Sequence, residues 1–198
     1  MSEKLKKDLE RLSAEAHKES IDIQNSLACH TRKDKQRFYE RTAGILCGSS
    51  PCGVVKFMDE IHNSESVSQV YYHMSEYLKH LPEEQIKNTT IVYDNGCMLN
   101  KFALNRDKSA KICELIAEMD MRIDKMHFKN HVDKWCQLHC NPFTCDAINN
   151  ANTEACEQLF AWLSGFSYIL RYMSANAFFF AVLDLLDMRN HVIYAECC

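Results

Sequence analysis

The sequence predicts an α/β domain with a mixed sheet of short strands and a helix-rich C-terminal half. Three observations carry that expectation. Five Gly and three Pro among 198 residues are too few turn-formers for a many-turned all-β fold. The order hairpin, helix, strand between residues 42 and 94 is the alternation from which α/β sheets are built. Residues 153–172 and 175–194 then read as two long helices.

Taken in order, residues 2–20, "SEKLKKDLERLSAEAHKES", form a charged, helix-prone opening with Leu5, Leu9 and Leu12 on a narrow apolar stripe. We set 1–28 apart as an extension and 29–198 as the domain. "CHTRKDKQRFYER" (29–41) concentrates Arg32, Lys33, Lys35, Arg37 and Arg41, either a solvated face or a strip for phosphates. "TAGILCGSSPCGVVKFM" (42–58) reads as two short strands around a Gly-Ser-Ser-Pro turn. In 65–81, Val67, Val70, Tyr71, Met74, Tyr77, Leu78 and Leu81 recur at helical spacing; Ser64 or Ser66 can cap this helix, and Pro82 stops it. "TTIVYD" (89–94) is a strand, 107–119 a helix, and 122–128 a short alternating strand. Residues 129–146 are helical or irregular and rich in Cys and His, and an Asn152-Thr153 cap signal opens 153–172.

Composition narrows the function classes. A hydrophobic share of 46% with 25% charged residues suits a globular domain with a real core. A net charge of −4 argues against a general electrostatic grip on nucleic acid, though not against a local basic patch. Eleven Cys behind a charged, soluble-looking start imply a reducing compartment with thiols free or metal-bound. No apolar run reaches the ~20 residues of a membrane span; "NAFFFAVLDLL" is too short and contains Asp184. Gly-rich phosphate loops, GxSxG and HExxH are absent from the sequence.

Three constellations can carry chemistry. Asp94, in "IVYDNGCMLNKF", ends a strand where open α/β sheets place ligands; it can equally close an Asx-turn at Asp-Asn-Gly. Glu154 and Glu157 lie on one helical face, in the first turns where the macrodipole also favours acids. In "DKMHFKNHVDKWCQLHC", His127 with His131 and Cys136 with Cys140 are spaced four apart. Four N/S donors suit tetrahedral zinc, and a packed Cys cluster with hydrogen-bonded histidines is the competing account.

Together these segments resemble the DDE transposases of the KDZ (Kyakuja–Dileera–Zisupton) group, over roughly residues 29–194. "YDNGCMLNKF" is similar to the family's strand-ending Tyr-Asp-x-x-Cys segment, "DKMHFKNH" to its Asp/Cys-x-x-His motif, "CNPF" to the Cys/Asn-Pro stretch that follows, and "NTEACEQLFAWLSGFSYILRYMS" to its terminal helix. The resemblance implies an RNase H-like core. It makes Asp94 the second catalytic Asp, Asp124 and His127 the intervening motif, and Glu157, with Glu154 as runner-up, the catalytic Glu. Three such carboxylates would hold two Mg²⁺ about 3.5–4 Å apart for phosphoryl transfer.

The chain departs from that pattern at its start. The first Asp belongs on a core strand ahead of "RTAGIL", and Asp22 in "SIDIQNS" is the sole candidate. The implied core is therefore incomplete, missing a strand that would pair inside the sheet and leaving an open edge. The expected function is a transposase-derived, catalytically inactive domain in the nucleus (alternatively the cytoplasm). DNA contact, self-association through the sheet edge or N-terminal helix, and no membrane are expected. One alternative is an active Mg²⁺-dependent nuclease or transposase core using Asp22 or a second chain's Asp. The other is a zinc-stabilised protein-interaction module.

Overall fold

The computed structural model describes residues 44–197. The N-terminal extension, the basic 29–41 stretch, Asp22 and the boundary after residue 28 lie outside the described residues. The expected hairpin is present: β1 (Gly44–Ser49) pairs antiparallel with β2 (Val55–Ile61), from Gly44↔Ile61 to Ser49↔Val55, with a slip between Gly48 and Ser49. Its turn is closed by the Gly53 N–H on the Ser50 carbonyl at 2.8 Å and the Ser50 N–H on the Val54 carbonyl at 2.9 Å. Pro51 supplies a fixed φ at the second turn position. Gly53, at φ +89°, takes a backbone conformation that a side chain would resist.

Helix α1 (Val67–Leu78) begins as its sequence suggests, with the Ser66 hydroxyl accepting from the Gln69 N–H, and buries Val70, Tyr71, Met74 and Leu78. Pro82 ends that segment but also opens a short helix, α2 (Glu83–Lys87), with Glu83 and Glu84 at its start and Lys87 at its end, the arrangement a helix dipole favours. Strand β3 (Thr90–Val92) leads through α3 (Gly96–Asn105) and α4 (Lys111–Glu118) to β4 (Asp120–Arg122). The two strands run parallel with Thr90↔Asp120 and Val92↔Arg122.

One expectation about the strands needs correction. The strand expected over 122–128 lies at Asp120–Arg122, because Asp124 turns the chain: its Oδ1 accepts from the N–H groups of Met126 and His127, both at 2.9 Å. Among the described residues the strands form two small sheets, the antiparallel β1–β2 and the parallel β3–β4. An α/β architecture of short strands with a helix-rich C-terminal half is otherwise as read.

Beyond β4 come a 3₁₀ turn (Phe128–Asn130), α5 (Lys134–His139) and two further 3₁₀ turns. The helix expected over 153–172 breaks at Gly165 into α6 (Ala155–Ser164) and α7 (Ser167–Leu170), and α8 (Ala175–Cys197) closes the fold. Three apolar clusters hold these elements. Leu78, Leu99, Ile116 and Met121 centre the first, between α1, α3, α4 and the parallel pair. Cys47, Leu159, Val182 and Leu186 join the hairpin to α6 and α8. The third is small and sulfur-rich: Cys97, Ile123, Phe128, Cys136 and Cys140.

Candidate functional site

The site begins at the C-terminal edge of the parallel pair. The ladder runs one bond past β3, with the Tyr93 N–H donating to the Arg122 carbonyl at 3.0 Å. Asp94 follows the end of β3 by two residues and Asp124 follows the end of β4 by two, so both lie just beyond the C-terminal end of the parallel pair. Gly96 explains why the chain can turn there. A Cβ at this position would meet the Arg122 carbonyl oxygen at 2.5 Å and its carbon at 3.0 Å, so a bare Cα lets α3 start against β4. The turn is closed by the Gly96 N–H on the Tyr93 carbonyl at 2.9 Å. Asp94 Oδ1 is buried and has no hydrogen-bond partner, so it does not serve as the acceptor of an Asx-turn.

Asp124 is the opposite case. It is 2% exposed; Oδ1 holds the two N–H groups named above, and Oδ2 lies 2.7 Å from His127 Nδ1. His127 Nδ1 is in turn 3.8 Å from Glu157 Oε1, and the ligand atoms of Asp124, His127 and Glu157 all lie within 4.8 Å of one another. Helix α6 is held in that position by the Lys125 N–H donating to Thr153 Oγ1 at 3.3 Å. Lys125 Nζ adds bonds to the carbonyls of Ile148 at 2.9 Å and Asn149 at 2.8 Å. Glu154 sits at the N-cap of α6 and takes no part in this group. Of the two candidate acids, Glu157 is the one that joins Asp124 and His127.

The Cys/His segment does not assemble the four zinc donors expected from spacing. His127 faces Asp124 and Glu157, because the 3₁₀ turn Phe128–Asn130 replaces the α-helical turn that would align it with His131. Cys140 is fully buried but lies outside the tight donor group. His131 and Cys136 instead meet Cys97, all three buried with donor atoms within 4.8 Å, and Cys97 Sγ lies 3.6 Å from His131 Nδ1. Sequence spacing missed Cys97, whose partner is 34 residues away on another element; its place at a strand–helix junction, three residues after Asp94, was the available signal. The hydrogen bond with Cys97, aided by burial, raises the Cys136 thiol pKa well above the usual range. Burial, with Cys136 nearby, pushes Cys140 up to about 12. His131 is raised chiefly by its hydrogen bond with Cys136, and also by one to the Asp94 main chain.

The family model of the Kyakuja-Dileera-Zisupton transposase matches residues 5–190. The chain belongs to the KDZ transposase family. No curated protein matches it, and no solved structure does. In this KDZ chain, Asp124, His127 and Glu157 come together in the fold although more than thirty residues of sequence separate the first from the last. Asp94 lies in the turn that follows the adjoining β3, two residues past its end. Among the described residues of the KDZ chain, no helix is long and apolar enough to cross a membrane.

Proposed function

We propose that the chain is a transposase-derived domain that retains part of a DDE-type metal site and does not cut DNA by itself. The observation that carries this reading is the group Asp124, His127 and Glu157, whose ligand atoms lie within 4.8 Å of one another just past the end of β4, with Asp94 two residues past the end of its parallel partner β3. The three carboxylates are not equivalent. Asp124 spends both oxygens on local N–H groups and on the imidazole, so it orients His127 instead of offering a free ligand. Asp94 and Glu157 are the carboxylates left for a divalent ion. Mg²⁺ accepts one or two carboxylates with water and phosphate oxygens making up its shell. Two-metal phosphoryl transfer needs both ions held at once, and members of a catalytic unit fail together when one is missing.

The third carboxylate is the one the resemblance places on a first core strand, for which Asp22 is the candidate. The domain then acts in the nucleus as a DNA- or protein-interaction module, with the 29–41 basic stretch as its phosphate contact.

Supercoiled DNA incubated with the purified chain and Mn²⁺ tests this. No nicking above background is expected. Relaxed circles that disappear in both Asp94→Ala and Glu157→Ala would establish instead the active nuclease or transposase core.

A further inference from the structure

We propose that Cys97, His131 and Cys136 bind a zinc ion that fastens the β3–α3 junction to the segment leading into α5. The site shares no ligand with the acidic edge, so it stands or falls apart from that reading. Zinc bonds of about 2.3 Å to sulfur and 2.0–2.1 Å to nitrogen, opened to the tetrahedral angle, put neighbouring S and N donors about 3.5 Å apart. Cys97 Sγ and His131 Nδ1 lie 3.6 Å apart, and Cys136 Sγ is within 4.8 Å of both. Two sulfurs and an imidazole are a soft donor set, which selects zinc over the hard cations suited to carboxylates.

Burial separates this arrangement from ordinary packing. Cys97 and Cys136 are each 1% exposed and His131 is 7% exposed. An apolar cluster of Ile123 and Phe128 has use for buried thiols but none for a polar ring turned into them. The ligand-bearing backbones are held independently. Asp133 accepts from the Trp135 N–H at 3.0 Å and pairs with Lys101 of α3 at 3.1 Å, while the Gln137 amide donates to the His131 carbonyl. Three protein donors leave a fourth tetrahedral position for water.

The test uses the full chain, stripped of metal under reducing conditions and titrated with Co²⁺ as a spectroscopic substitute for Zn²⁺. Uptake of about one ion per chain is expected, with thiolate-to-cobalt charge-transfer absorption and the intense visible bands of tetrahedral cobalt. Zinc added afterwards should bleach them. Cys97→Ser and Cys136→Ser should each lose most of the charge-transfer intensity. Cys140→Ser and His127→Ala should keep it. His131→Cys, which retains a ligand, should bind with bands shifted by the extra thiolate and so separates lost coordination from lost folding. Wild type that takes up no cobalt, cobalt bands without thiolate character, or a full spectrum in Cys97→Ser each overturns the proposal.

Discussion

Gly96 is the residue on which the acidic edge depends most directly, because its missing side chain is what allows α3 to begin on the backbone of β4. Gly96→Ala would place a methyl carbon 2.5 Å from a main-chain oxygen, and a backbone group cannot swing aside as a side chain can. Overpacking of this kind costs about 1–3 kcal/mol. The urea midpoint of the variant should fall accordingly at an unchanged denaturant slope. The same residue-scale view separates two aspartates that look alike in sequence. Asp124 is consumed by its own loop, whereas Asp94 keeps a buried oxygen without a partner. Sequence pattern pointed to Asp94 and Glu157, one expected at a strand end and the other in the first turns of a helix, and the family resemblance pointed to Asp124. Neither separated their chemistry, which depends on where N–H groups fall in three dimensions. Cys97 escaped for a related reason: nothing local distinguishes a thiol that packs from one that meets His131 across 34 residues.

At the scale of elements, α8 is tied to the hairpin by a side chain that imitates a strand. Asn190 Oδ1 accepts from the Val55 N–H at 2.8 Å, and its Nδ2 donates to the Val55 carbonyl at 3.0 Å; the Arg189 guanidinium adds a bond to the Gly53 carbonyl. Asn190→Ala removes two hydrogen bonds worth about 0.5–1.5 kcal/mol each. The Val55 amide should then exchange faster with solvent, and the hairpin should loosen before α3 and α4 do. Elements with strong local signals were legible: the Ser66 cap, the 67–78 apolar spacing and the Pro-containing hairpin turn all form where the pattern puts them. Boundaries were lost where a side chain overrode periodicity. The alternation around Ile123 resembles a strand, but Asp124 turns the chain before it can continue. Gly165 likewise breaks what an apolar pattern alone extends to residue 172.

Among the described residues, large apolar side chains near the C-terminal end of the chain remain exposed. Tyr168 is 69% exposed, Tyr172 71%, Phe180 65% and Val192 58%, all on or beside α7 and α8. Exposed apolar patches commonly mark association surfaces, and self-association is the outcome expected of these side chains. The chain should sediment as a concentration-dependent mixture of monomer and larger species, and Phe180→Glu should move the distribution toward monomer with unchanged helical circular dichroism. Helix α6 spans this architecture. On one side Cys156 Sγ contacts Ser49 Oγ at 3.3 Å and the Cys47 carbonyl at 3.6 Å, in the hairpin. On the other, Glu157 faces His127 at the strand ends. The reach of that carboxylate is therefore a distance measured across the gap separating both strand pairs. A partner that wedged them apart or drew them together would retune the acidic centre without touching a single one of its ligands.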